Sequence, residues 1–154
     1  MIDKEAQAEN WVRRGIGGAK NAPAAFKCFY STDTSGEYEC GVVLANAGGV
    51  NVDVHIYSLP SFWMKPRRVK KLWQDTFFFC FNVLNCRRVT ALIRRDNEPA
   101  LKFATGMGFQ YEGTMRHAAD NGVDISIFGM TVEDYHCHRW CSVDQRTNTS
   151  NSKF

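Results

Sequence analysis

Asn97-Glu-Pro-Ala-Leu-Lys-Phe-Ala-Thr-Gly-Met-Gly-Phe-Gln-Tyr-Glu-Gly-Thr-Met-Arg116 carries a helix, a glycine exit and a strand in one short stretch. Asp96 or Asn97 can cap the helix, because a short polar side chain accepts from the unpaired N–H groups of a first turn. The helix runs to about Thr105, and Gly106-Met-Gly-Phe109 closes it with glycine where a helix exit calls for it. Gly106 and Gly108 can adopt positive φ at the helix end, letting Phe109 turn back into the core. Gln110 to Arg116 and Asp124 to Val132 then read as a strand pair joined by the turn-rich Ala119-Asp-Asn-Gly122.

Upstream of this stretch, Arg87 to Arg94 alternates through Val89, Ala91 and Ile93 and reads as a strand. Before it the period is helical: Val69, Leu72, Trp73, Thr76, Phe77, Cys80, Phe81 and Leu84 recur at steps of three and four, predicting a helix from Pro66 to Leu84. Pro66 suits the first turn, where its missing N–H costs nothing. Val50 to Tyr57 is a strand with Val50, Val52, Val54 and Ile56 on one face. Ala24 to Thr32 and Glu37 to Ala45 form two more, with Tyr38, Cys40, Val42 and Leu44 sharing a face, around the turn Asp33-Thr-Ser-Gly36. Ile2 to Arg14 is helical, ended by Gly15-Ile-Gly-Gly18. The order is helix, three strands, long helix, strand, short helix, two strands. Strands flanking the long helix would be parallel neighbours joined by a right-handed crossover.

No apolar run approaches the roughly 20 residues of a membrane-spanning helix, and Met1 to Arg14 lacks the pattern of a secretion signal. A cytoplasmic protein is expected, its six cysteines free thiols and several of them core residues. The net charge of +3 allows an anionic ligand and argues against duplex nucleic acid as the main partner. One domain spanning 1–141 is expected, followed by a disordered polar tail over 142–154. His136-Cys-His-Arg-Trp-Cys141 has zinc-ligand residue types, but no second ligand pair lies elsewhere to close a tetrahedral site, so no metal is expected.

Asn97-Glu-Pro-Ala100, Gly108-Phe109, Tyr111-Glu-Gly113 and Met115-Arg116, with Arg88 to Ile93 before them and Phe128-Gly-Met130 after, resemble the carboxy-terminal half of a GNAT (GCN5-related N-acetyltransferase) domain. The spacing is most similar to the ribosomal-protein and amino-terminal acetyltransferase branch and to small bacteriophage-encoded acetyltransferase-like proteins, which would place the chain in a host cytoplasm. The resemblance implies an α/β (α+β) fold: a mixed, mostly antiparallel central sheet, helices on both faces, and a V-shaped splay between two parallel strands. It implies acetyl-coenzyme A as cosubstrate and a protein, peptide or aminoacyl amine as acceptor, and this fold often pairs into homodimers.

The implied cofactor contacts are Tyr57, Ser58, Lys65, Arg67, Arg68, Asn97 and Phe103. Asn97 has two readings, a helix cap or a contact to the pantetheine arm. The family's glycine-rich pyrophosphate loop is absent here. Phe62-Trp-Met-Lys-Pro-Arg-Arg-Val69 stands in its place, so Arg67, Arg68 and the helix amides would grip the phosphates instead. The alternative is a solvated basic helix face. Many family members place a Tyr proton donor at the position that Ala104 holds here.

The candidate catalytic residues are Glu39 and His55 as bases and Ser58 as a donor at the end of its strand; Asp53 is a further base candidate. Two functions therefore stand side by side. One is an active N-acetyltransferase. The other is a weak or inactive module on the same fold, engaging a partner such as a host protein through the basic helix face and exposed Trp63 and Trp73. Nucleic-acid contact through Arg87, Arg88, Arg94 and Arg95 is a third option.

Overall fold

The computed structural model describes residues 3–16 and 25–137. The chain divides into two compact units, Met1–Cys86 and Arg87–Phe154. The polar tail over 142–154 and the end of the His/Cys run, from His138 to Cys141, lie outside the described residues.

The first unit opens with helix α1 (Lys4–Gly15), capped by Asp3, whose carboxylate accepts from Glu5 N–H at 3.0 Å and Ala6 N–H at 3.2 Å. Glu5 in the first turn and Arg13 and Arg14 in the last complement the helix dipole. The helix buries Ala8 and Val12 against strands β1 (Ala25–Thr32), β2 (Tyr38–Ala45) and β3 (Asn51–Ser58). These strands form an antiparallel meander with Cys28 opposite Val43 and Val43 opposite His55. Two glycines make the close approach possible. A Cβ at Gly41 would stand 2.3 Å from Val12 Cγ2, and one at Gly15 would stand 2.2 Å from the Tyr57 ring. Val50, expected in the apolar face of β3, instead precedes the strand and is 55% exposed.

Helix α2 (Pro66–Phe78) buries Val69, Leu72, Trp73, Thr76 and Phe77. Trp73 is fully buried, so the sequence expectation that it is exposed fails: it lies four residues after Val69, within the apolar stripe. The helix also ends earlier than Leu84. From Phe79 to Val83 the backbone widens into a π turn, which carries Cys80 and Phe81 into the core. A 3₁₀ turn over Pro60–Met64, unforeseen in the sequence, leads from β3 to α2.

The second unit contains β4 (Arg88–Arg94), α3 (Glu98–Gly106), β5 (Gln110–Met115), β6 (Ile125–Thr131) and α4 (Val132–Cys137). Strand β6 lies between β4 and β5, antiparallel to both. Val89, Ala91 and Ile93 are buried as their alternation requires. Asn97 caps α3, accepting from Ala100 N–H at 3.3 Å. Gly108 has φ +96°, while Gly106 remains helical, so one left-handed residue is enough to return Phe109 to the interior. Val132 opens α4 and does not extend the last strand. Thr131 N–H donates to the Asp134 carboxylate at 3.0 Å and Asp134 N–H to Thr131 Oγ1 at 3.1 Å, a reciprocal capping pair. Among the described residues no helix is long and apolar enough to cross a membrane.

Candidate functional site

The site is assembled at the start of α2 by an irregularity in β2. Ser31 faces Cys40 and Thr32 faces Tyr38, so Glu39 is an extra residue with no partner in the register. Such a bulge points two consecutive side chains the same way and re-aims one of them. Tyr38 therefore packs toward α1, with its ring 5.8 Å from that of Trp11, whereas Glu39 turns to α2. The expectation that Tyr38 shares a face with Cys40, Val42 and Leu44 is overturned by this one inserted residue.

Glu39 is 1% exposed. Its carboxylate accepts from Ser31 Oγ at 2.8 Å, from Lys65 Nζ at 2.5 Å, and from Arg68 Nη1 at 3.0 and 3.2 Å. Its backbone carbonyl accepts from Leu59 N–H at 2.9 Å, tying down the connection that leads into α2. Burial alone would push this carboxyl up, but the donors Lys65, Ser31 and Arg68 outweigh it and hold the group below the usual carboxylate range. An ionised carboxylate with lowered proton affinity is a weak general base and a firm counter-ion.

Lys65 and Arg68 thus have a partner supplied by the chain itself. Their side chains remain about one-third exposed, at 37% and 35%. Arg68 Nε and Nη2 have no partner among the described residues. Arg67 and Lys70 are exposed and make no ion pair among the described residues. The first turn of α2 holds no acidic residue, and no side chain caps it. Two lysines and two arginines thus sit at a helix start against one carboxylate, which leaves an excess of positive charge where a helix attracts anions. Beside Arg68 a groove of about 250 Å³ opens between β1 and α2, lined by Phe29, Ser31, Thr32, Lys71, Leu72 and others.

The β3 candidates are placed differently from one another. The Tyr57 ring stacks edge-on against Trp11 at 4.8 Å and covers Gly15, so its ring is spent on packing α1. His55 is half-buried, and its Nε2 is shielded with no hydrogen-bond partner among the described residues. Burial lowers its pKa, with Arg13 in the same direction and Asp53 opposing, so the ring is neutral at pH 7. Asp53 accepts from Asn46 and Asn51, both at 3.0 Å. Ser58 ends β3 opposite Cys40. The structure therefore brings Glu39, Lys65 and Arg68 together and keeps His55 and Tyr57 out of that cluster.

In the second unit Asn97 spends its side-chain oxygen on the α3 cap. Phe103 is half-buried on α3 and Ala104 is buried. Of the arginines considered for nucleic acid, Arg88 pairs with Glu112 and Arg94 with Asp96. Cys28, Cys40, Cys80 and Cys86 are buried free thiols, and burial pushes Cys28 and Cys80 up to about 12, so none is a ready nucleophile. Among the described residues no group of side chains is arranged to hold a metal ion.

No family model and no curated protein sequence matches the chain. Solved structures do. A spermidine N-acetyltransferase SpeG mutant from Vibrio cholerae superposes with a TM-score of 0.60 at 19% identity, over 84% of this chain and 76% of that one. A GNAT-family acetyltransferase from Bacillus anthracis gives 0.55 at 14% identity, over 65% of this chain and 62% of that one. The chain has the GNAT fold. Identities this low carry architecture and leave the chemistry to the residues. The start of α2 departs from the glycine loop expected of this fold, and Ala104, where the resemblance leads one to expect a Tyr, is buried.

Sequence reasoning missed Ser31 and the true direction of Glu39. Neither had a signal in the residue pattern, since a bulge is defined by pairing between strands and not by residue type.

Proposed function

We propose that the protein is an acetyl-coenzyme-A-dependent N-acetyltransferase that modifies an amine. The observation that carries this reading is the start of α2: an uncapped helix end with exposed Arg67 and Lys70 and half-exposed Lys65 and Arg68, on a GNAT fold. Arg67, the free donors of Arg68 and the first-turn amides are the groups to hold a diphosphate, Arg through paired N–H donors. Tyr57 and Ser58 on β3 are proposed contacts along the rest of the ligand. Acetyl-coenzyme A, when bound, supplies the thioester whose carbonyl carbon an amine attacks.

The attacking amine must be neutral, and His55 is the better-suited proton acceptor. Its imidazole is neutral at pH 7, the protonation state a base needs. Glu39 as base is the competing assignment, and Ser58 at the end of β3 is the proposed hydroxyl donor. The acceptor is proposed to be a primary amine, either of a protein or aminoacyl group or of a small polyamine such as the spermidine named for the Vibrio cholerae enzyme.

A second reading, a binding module without turnover, is favoured by one observation, the buried Ala104 where a proton donor would stand. Calorimetric titration with acetyl-coenzyme A and thiol release against polyamine, peptide and aminoacyl acceptors separate the two. The expected result is binding that Arg67→Ala weakens about tenfold, with turnover on one acceptor class. Binding without turnover on any class favours the module, and no binding at millimolar ligand removes both the cofactor and the enzyme.

A further inference from the structure

Glu39 is an unusual group to find beside a helix start that is otherwise built for anions. A carboxylate there repels a phosphate, and a fully buried one must be stabilised by partners before it can be ionised at all. Three features show what it does in this fold. Its side chain receives one cation from each side of the Pro66–Arg67 step, Lys65 before it and Arg68 after it. Its backbone carbonyl holds Leu59 N–H, where the β3–α2 connection begins. Ser31 Oγ fills the remaining acceptor position from the neighbouring strand, at 2.8 Å. One residue therefore fastens both ends of the segment from Leu59 to Arg68 to the sheet, and the bulge in β2 is what brings it there.

The same contacts aim a side chain. Arg68 uses Nη1 alone on both carboxylate oxygens, which tethers that corner of the guanidinium and leaves Nε and Nη2 unpartnered among the described residues. An arginine held at one edge presents its remaining donors with less orientational freedom to lose on binding.

From this geometry we infer that Glu39 is a positioning residue: an internal counter-anion that fixes the start of α2 and orients Arg68 and Lys65 for a phosphate-bearing ligand, without exchanging a proton with the acceptor amine. The inference rests on the acetyl-coenzyme A reading above and changes the role that a base assignment would give Glu39. It also gives a reason for the absent glycine loop. Where other chains shape the phosphate site with backbone, this one braces it with a buried ion cluster.

Wild type, Glu39→Gln and His55→Gln are compared in three measurements: coenzyme A titration, the pH profile of kcat, and amide hydrogen exchange over 59–69. Positioning predicts that Glu39→Gln weakens coenzyme A binding about tenfold. It also predicts faster exchange over 59–69 without ligand, and a kcat profile whose acid limb keeps its midpoint. A base role instead predicts unchanged coenzyme A affinity, unchanged exchange, and loss of the acid limb with kcat down about 100-fold or more; that result overturns the inference. Equal affinity and equal exchange in wild type and variant overturn it as well. If wild type itself fails to bind coenzyme A, the cofactor reading falls first and the positioning role with it, whatever the exchange shows. Should Glu39→Gln not fold, Ser31→Ala and Lys65→Met each remove one arm of the cluster. Both are expected to weaken coenzyme A binding and raise exchange over 59–69, and no change in either overturns the inference.

Discussion

An arginine meets a glutamate in both units, in surroundings that could hardly differ more. In the first, the Glu39 side chain is 2% exposed and holds Lys65 and Arg68 from inside the fold. In the second, Arg88 and Glu112 meet at 2.5 Å on the outer face of β4 and β5, with 34% and 36% of their side chains exposed. The exposed pair lies flat across β6, and the flatness has a visible cause. At Gly129 a Cβ would stand 2.5 Å from Glu112 Oε1 and 2.6 Å from Arg88 Nη2. The difference teaches where an ion pair matters: a buried carboxylate needs its partners to exist as an anion, while two half-exposed groups are solvated with or without each other.

The sharpest way to break the comparison is to delete the buried carboxylate. Glu39→Ala leaves two cations facing a void, and breaking such a cluster costs about 3 kcal/mol, at the low end for buried pairs because Lys65 and Arg68 can reach water. For a chain of this size that is a fall in Tm of about 8 °C by differential scanning calorimetry. A fall no larger than about 2 °C would place Glu39 in the same class as the surface pair.

Acid sharpens the same contrast. The folded carboxyl of Glu39 sits below its ordinary value of 4.5, so the unfolded chain takes up the proton first. Its contribution is therefore complete above that ordinary value and is lost as pH falls through the lower folded one. Melting temperatures of wild type and Glu39→Gln should differ by a constant amount at neutral pH, and the gap should close only in acid below pH 4.5. His55 acts in a higher window. Its folded pKa is lowered from 6.5, so its neutral form supports the fold above pH 6.5 and the support is lost as pH falls through the folded value. A His55→Gln chain should show a flatter melting profile just below pH 6.5, and a profile parallel to wild type there would mean the ring is not shielded as described.

These two clusters also mark what could be read before the structure. The stretch from Asn97 to Met115 was legible because each step has a local cause: a capping side chain at Asn97, a glycine at 108 with φ +96°, an apolar Phe109 behind it. The basic start of α2 was legible as charge, in Lys65, Arg67, Arg68 and Lys70. What could not be read was Glu39. Alternation puts it on the face opposite Cys40, Val42 and Leu44, and a single unpaired residue in β2 reverses that, because the side chain's direction depends on which residue of β1 it faces. Trp73 failed for a simpler reason. The partner reading counts it with Trp63 as exposed, although its place in the stripe with Val69 and Phe77 already makes it core.

The smallest effect belongs to the surface pair, and a cycle of variants isolates it. Arg88→Gln should cost about 0.5 kcal/mol, and that cost should vanish near 1 M salt, where the Debye length is about 3 Å. Gly129→Ala puts a methyl group against the ends of two flexible side chains, which can swing away into water, so the backbone need not move. Its cost is then the loss of the pair itself, offset by the roughly 0.5–1 kcal/mol that alanine gains over glycine within a strand. The single variant should therefore be close to neutral. In a Gly129→Ala background, Arg88→Gln should cost nothing further, since the pair is already open. Additive costs in the double variant would show that Arg88 and Glu112 stay paired above the new methyl group, and that Gly129 is not what lays them flat.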